Sequence, residues 1–237
     1  MHQAAASELS GDISVTTRST PFTRENITTL IYRRLKNALM TGGYKPGDVM
    51  LLRIISEELG VSQTPVREAL LQLVSERALN MERGKSITVP IFDKKRLQDL
   101  RAIRLKLEVM AAEYAVKNIT DADIDELAAI HNRMMQCKLN EEREGTLLHN
   151  FEFHSTLYAA SQMPDLIAII EGLWAQTGPS LTYLYRPPFA HSQGDHPHLL
   201  VIAALKNRHT EGVVAAIMDD VNQYGLALMQ RLPEEMT

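Results

Sequence analysis

Residues 61–73 read Val61-Ser62-Gln63-Thr64-Pro65-Val66-Arg67-Glu68-Ala69-Leu70-Leu71-Gln72-Leu73. Ser62 or Thr64 can cap a helix here, and Pro65 falls near the first helical position, where a missing N–H costs nothing. Val66, Ala69, Leu70, Leu73 and Val74 then recur at three- and four-residue steps, which gives this helix one apolar face. Its leading turn is different in kind, carrying Ser62, Gln63, Thr64 and Arg67. Working outward, Arg53 to Leu59 predicts a short helix that stops at Gly60, a residue at ease in a left-handed turn. Before it, Ile27, Leu30, Ile31, Leu35, Ala38 and Leu39 mark a helix capped at Thr23 and ended by Gly42-Gly43. The apolar run Val49 to Leu52 predicts a small strand. Leu79-Asn80-Met81 and Ser86-Ile87-Thr88-Val89 alternate around Arg83-Gly84-Lys85, which is a hairpin pattern.

Three helices and a hairpin in this order make a winged helix-turn-helix. A short helix with small polar residues at its start can enter a major groove, with its positive dipole end and neighbouring cations meeting phosphates. Ser62, Gln63, Thr64 and Arg67 occupy that end. Arg83 and Lys85 flank flexible Gly84 at the wing tip, within reach of an adjacent groove or backbone. The competing reading is an ordinary solvated helix end beside a decorative hairpin.

From Phe92 onward the pattern is helical: Asp93 to about Asn118, a second helix capped by Thr120 or Asp121 and running to about Glu142, and a third from Thr146 to Ala160. Pro164 starts a fourth, which Gly178-Pro179 should interrupt. A less regular segment ends near Arg186-Pro187-Pro188, and His196 to Lys206 and Thr210 to Arg231 complete the set. The expected fold class is mainly α, with the three-helix winged unit followed by an all-α bundle of six or seven helices. The expected organisation is a flexible tail at 1–20, a DNA-binding unit at 21–92 and a helical unit at 93–237.

The chain of 237 residues is 45% hydrophobic and 23% charged, which supports folded cores rather than disorder. Its single cysteine, Cys137, rules out a disulfide framework and a Cys-rich zinc module. The first 20 residues lack a secretion-signal pattern, and no stretch has the roughly 18 apolar residues of a membrane span. A cytoplasmic protein without a membrane partner is expected. The net charge of −4 hides an asymmetry: residues 21–92 hold 10 Lys/Arg against 7 Asp/Glu, and residues 93–237 hold 14 against 20. A basic front and an acidic rear imply different partners.

Several polar residues fall within apolar rows of the rear helices. Arg104 shares a row with Leu97, Leu100, Leu107, Ala111 and Tyr114, and Glu108 follows one turn on. His154 sits with Leu147, Phe151 and Tyr158, one turn from Asn150. Asp220 lies with Val213, Ile217 and Tyr224, and His198 with Val201, Ile202 and Leu205. Inward-facing polar groups in a bundle point to a polar cavity. Asn150 and His154 can face one metal ion, with His198 and Asp220 closing the site from other helices. That donor set suits zinc, nickel, manganese or iron. The alternative is hydrogen-bonded core histidines and a surface Asp220. Arg104 can pair an effector carboxylate through its planar fork, or form an internal salt bridge with Glu108. Arg186 is a weaker candidate. His191 and His196 are spare metal candidates, expected in solvent. The 11 methionines read as gap-filling core.

Tyr32-Arg33-Arg34-Leu35 through Pro46-Gly47, Ser56-Glu57-Glu58-Leu59-Gly60-Val61-Ser62 and Thr64-Pro65-Val66-Arg67-Glu68-Ala69-Leu70 together resemble the N-terminal domain of GntR-family transcription regulators. The resemblance implies DNA contacts from Arg53, Ser62, Gln63, Thr64, Pro65 and Arg67, and from Arg83, Gly84 and Lys85 at the wing. Some relatives carry Arg where Gln63 stands, which alters the base read, since Arg favours guanine and Gln adenine. Residues 93–231 resemble the FCD ligand-binding domain of the FadR-like subgroup through Arg104-Leu105-Lys106-Leu107-Glu108, Asn150-Phe151-Glu152-Phe153-His154, and His198 followed by Val201 and Ala204-Leu205. Many such domains hold a divalent metal through one Asp and three His. Here Asn150 replaces the usual Asp and Asp220 the last His, so one carboxylate is kept. The expected function is a homodimeric repressor on near-palindromic double-stranded operator DNA, modulated by a small carboxylate effector near the metal. The alternatives are a metal-dependent enzyme acting on a small organic acid, with the front unit as adaptor, and a constitutive DNA binder whose bundle only dimerises.

Overall fold

The computed structural model describes residues 27–81, 86–184 and 196–232. The tail at 1–20, Thr23, the wing-tip residues Arg83, Gly84 and Lys85, and Arg186, Pro187, Pro188 and His191 lie outside the described residues. The front unit consists of α1 (Ile27–Met40), α2 (Leu52–Leu59), α3 (Gln63–Ser75) and a two-stranded antiparallel hairpin of β1 (Asn80–Met81) and β2 (Ile87–Thr88). In the hairpin Asn80 faces Thr88 and Met81 faces Ile87. Ile31, Leu35 and Leu39 of α1 meet Val66, Ala69, Leu70 and Leu73 of α3 in one buried core, as the apolar spacing requires. Gly60 closes α2 in the left-handed conformation, with φ 64° and ψ 33°. The expected strand at Val49 to Leu52 reduces to an isolated bridge, Val49 to Thr88, because Leu52 already belongs to α2.

Six helices follow among the described residues: α4 (Lys94–Asn118), α5 (Asp121–Leu139), α6 (Arg143–Ala159), α7 (Pro164–Leu181), α8 (Pro197–Lys206) and α9 (Thr210–Arg231). Asp93 caps α4 by accepting from the Arg96 N–H, and Thr120 and Asp123 form a reciprocal capping box at the start of α5. The buried face of α4 turns along its length, from Leu97 and Leu100 to Glu108, Ala111, Ala112 and Ala115. Tyr114, expected in the inward row, is therefore exposed. A strict seven-residue row drifts about 20° per heptad on a straight helix, and Tyr114 has drifted out.

Gly178-Pro179 does not interrupt the fourth rear helix: α7 runs through both to Leu181. A proline this near a C-terminus removes one helical hydrogen bond, and Gly178 to Leu181 are all buried here. The glycine serves packing. A Cβ on Gly178 would stand 2.4 Å from the Leu39 carbonyl oxygen and 2.8 Å from that of Met40, so α7 lies directly on the end of α1. Gln176 of α7 also donates to the Glu76 carbonyl just beyond α3, at 3.3 Å, and Lys36 of α1 lies 3.9 Å from Glu171. The front unit is thus seated on α7.

Ala has about a 1 kcal/mol advantage over Gly inside a helix, so two glycines of α7 make a paired test. Gly178→Ala should lower stability by about 1–2 kcal/mol net, since overpacking against backbone exceeds that gain. Gly172→Ala, where a Cβ would meet nothing within 4 Å, should raise stability by about 0.5–1 kcal/mol. Urea denaturation curves of the two variants check the opposite signs.

Candidate functional site

The leading turn of α3 projects from the front unit. Ser62, Gln63, Thr64 and Arg67 are exposed and Pro65 is half-buried, while Val66 behind them is fully buried. Ser62 has the backbone angles of an N-cap, φ −72° and ψ 161°, yet its hydroxyl makes no capping bond, so it remains available outward. Arg53 is exposed on α2 and pairs with Glu57 at 3.0 Å, an exposed i,i+4 pair of small energy. One apolar-sided turn anchors the helix and one polar turn is presented to solvent, as duplex reading requires.

The second site lies inside the bundle. A partly open cavity is lined from α4 by Leu97, Arg101 and Arg104, from α6 by Asn150 and His154, from α7 by Trp174 and Thr177, and from α9 by Asp220, Val221 and Tyr224. Arg104 is clamped. Its Nε donates to Glu108 at 2.6 Å, its Nη1 to the Thr177 hydroxyl at 3.2 Å, and its guanidinium lies 4.3 Å from the Trp174 ring centroid. Glu108 is fully buried and does not line the cavity. Besides Arg104 it accepts from the Trp174 indole at 3.2 Å and from the Tyr158 hydroxyl at 2.7 Å. Arg104 is therefore in the internal salt bridge and also faces the cavity.

The same hydrogen bonds set the state of His154. Burial, and then the charge of Glu108, push the Tyr158 phenol well above its usual range, so its proton stays and is given to Glu108. The Tyr158 oxygen must then accept from His154 Nδ1, 3.1 Å away, which places the hydrogen on Nδ1. Nε2 is left facing inward, as an acceptor in the neutral ring and as a donor in the charged one. That atom stands 3.1 Å from Asp220 Oδ2 and 3.4 Å from His198 Nε2. Burial, then His154, His196 and His131, hold His198 well below the usual histidine range, so that ring is neutral. Either a proton on His154 Nε2 or a cation between the two atoms makes this approach to the carboxylate favourable.

His154, His198 and Asp220 offer ligand atoms within 4.8 Å of one another. The carbonyl oxygen Asn150 Oδ1 and Asp220 Oδ1 are buried with no hydrogen-bond partner among the described residues, and Asp220 Oδ1 lies 3.9 Å from His198 Nε2. Two imidazoles, a carboxylate and an amide oxygen form a fitting donor set for a divalent ion. The four residues singled out in the sequence are thus gathered on α6, α8 and α9.

His196, expected in solvent, is instead buried at the start of α8. Its Nδ1 accepts from the His198 N–H at 3.2 Å and its Nε2 lies 2.5 Å from the Tyr224 hydroxyl. Burial pushes its pKa down to about 4, with nearby Asp220 opposing the shift. His131 on α5, which the sequence reading passed over, is also buried, and burial lowers its pKa. It shares the apolar row of Ile124, Leu127, Ile130 and Met134, and that row was the available signal. His131, His196 and His198 form a second group within 4.8 Å. Both ring nitrogens of His196 are already engaged, so the group with Asp220 is the one that presents lone pairs.

The sequence profile of the bacterial regulatory proteins of the gntR family matches residues 28–89, and that of the FCD domain matches residues 99–223. Over 209 residues the chain is 36% identical to the HTH-type transcriptional regulator McbR of Escherichia coli (strain K12), covering 87% of this chain and 94% of that protein. The chain belongs to the GntR family. The solved structure of E. coli McbR/YncC superposes with a TM-score of 0.81 at 35% identity, covering 87% of this chain and 99% of that one. The HTH-type transcriptional repressor GlaR of E. coli (strain K12) is 28% identical over 148 residues, 60% of this chain and 67% of its own. This GntR-family chain is a DNA-binding transcription regulator of winged helix-turn-helix and helical FCD architecture, and the enzyme alternative falls with that assignment. No helix among the described residues is long and apolar enough to cross a membrane.

Removing one partner of a buried ion pair costs about 3–5 kcal/mol, because the other charge is left uncompensated. Glu108→Ala should show that loss in urea denaturation, while Glu108→Gln, which keeps an acceptor, should lose less. Trp174 is the single tryptophan, so its emission should shift in both variants as its acceptor is altered.

Proposed function

We propose that the chain is an effector-gated repressor that acts as a homodimer on a near-palindromic operator in the cytoplasm. Residues 21–92 form the DNA-binding unit, 93–237 the sensing and dimerising unit, and 1–20 a tail. The observation that carries this reading is that one helix, α7, both lines the cavity and seats the front unit. Trp174 and Thr177 line the cavity, while Gln176 and Gly178 hold the front unit. A ligand against Trp174 and Arg104 acts on the helix that seats α1. It therefore favours one placement of the reading heads over another, provided it binds the two states unequally. The repressor sense is supported by the relative GlaR, an HTH-type transcriptional repressor.

Gln63 and Arg67 read base edges, with Ser62, Thr64, Arg53 and Pro65 fixing the approach and Arg83, Gly84 and Lys85 contacting from the wing. The effector is a small carboxylate. Its acid group meets the guanidinium of Arg104, which Glu108 holds in place, so Glu108 positions the effector residue and does not touch the ligand. His154, His198, Asp220 and Asn150 hold a divalent ion, one of zinc, nickel, manganese or iron. When bound, such an ion supplies positive charge and an open position for a carboxylate oxygen.

Arg67→Ala should weaken binding to the chain's own promoter fragment by about 1–3 kcal/mol if Arg67 reads a base, and should flatten the salt dependence if it meets phosphate. Fluorescence anisotropy across a salt series distinguishes the two, and absence of any binding at low salt overturns the operator reading. In metal analysis of untagged protein, the unmutated chain should carry at least about half an equivalent of divalent metal, and His154→Ala should lose it by removing a ligand.

A further inference from the structure

Arg101 stands one turn before Arg104 on α4 and lines the same cavity, but its surroundings are different. Arg104 is committed to Glu108 and Thr177, whereas Arg101 makes no hydrogen bond or ion pair with any described residue. It is nonetheless not a side chain loose in solvent. Arg101 is half-buried, and its stem lies across Gly225 of α9, where a Cβ would come within 2.3 Å of the Arg101 Cδ. The glycine is the reason Arg101 can enter the cavity at all. Gly225 sits five residues beyond Asp220, about 7.5 Å of helix rise. Val221 and Tyr224 of α9 line the wall between the two stations, and Leu97, Leu181 and Leu228 add apolar lining around them. The cavity therefore has a polar group at His154, Asp220 and Arg104 and, one turn along α4, a second guanidinium that pairs with no described residue.

We infer that Arg101 is a second anion-binding residue, and that the effector is an acid with two carboxylates separated by a short hydrocarbon spacer. The inner carboxylate takes the Arg104 end and the outer one pairs with Arg101. Guanidinium binds carboxylate through paired N–H donors, so an effector with one acid group leaves the Arg101 interaction unmade, and a diacid gains it. This inference rests on the carboxylate-effector reading and specifies it further. It makes Gly225 a specificity residue too, since any side chain there displaces Arg101 from the wall.

The test uses the full chain and Trp174 emission, with calorimetry beside it, against malonate, succinate, glutarate, malate and citrate and the monoacids acetate, butyrate and lactate. At least one acid with two or more carboxylates should bind at least tenfold more tightly than every monoacid. Arg101→Gln and, independently, Gly225→Ala should remove that advantage while changing monoacid affinity less than about twofold. Gly225→Ala adds a good helix former, so its loss of diacid binding is not a folding defect, and melting curves verify this. Equal binding of monoacids and diacids, or a diacid preference that survives Arg101→Gln, overturns the role of Arg101 and leaves the carboxylate reading intact. If no acid of either kind binds the unmutated chain, the carboxylate reading itself is wrong and this inference goes with it.

Discussion

A single buried carboxylate organises the sensing half of the molecule. Glu108 has no contact with solvent and is held by an arginine, an indole and a phenol from three directions. An acid in that position is tolerable only because each partner donates to it. In return it fixes the Arg104 fork, the Trp174 ring and, through Tyr158, the proton position on His154. Those three side chains come from α4, α7 and α6. The chemistry of the cavity is set one layer behind its wall.

The second organising contact is steric. Where Gly178 meets the Leu39 and Met40 carbonyls, no side chain separates α7 from α1, so movement of one helix passes to the other without the slack that flexible side chains would introduce. The Gln176 bond to Glu76 ties α7 to the end of α3 as well, beside a residue that also accepts from the Tyr32 hydroxyl at 2.7 Å. Cavity wall and DNA-reading unit thus share a rigid member.

The DNA-reading half was legible because its determinants are contiguous. Thirteen residues around Ser62 carry the N-cap position, the proline, the apolar face and the exposed polar turn, and among the described residues the structure removes the small strand near Val49 and leaves the Ser62 hydroxyl without a capping bond. The inward placement of Arg104, His154, His198 and Asp220 was also legible, since each lies in an apolar row of its own helix. What escaped was set by contacts between helices. Gly178 and Pro179 read locally as a break, and only the end of α1 explains why the helix runs on. His196 read as a loop residue, and its burial depends on Tyr224 of another helix. Arg101 and Gly225 have meaning only as a pair across α4 and α9, and nothing in either stretch announces the other.

The division of charge along the chain, +3 over residues 21–92 and −6 over 93–237, also makes the molecule an electrical dipole. A polyanionic duplex attracts one pole and repels the other, so an approaching molecule is rotated before any contact forms and arrives with α3 leading. The torque acts over roughly the Debye length, about 8 Å at physiological ionic strength. The helical bundle, although it forms the larger part of the mass, is thereby kept off the nucleic acid while the protein searches.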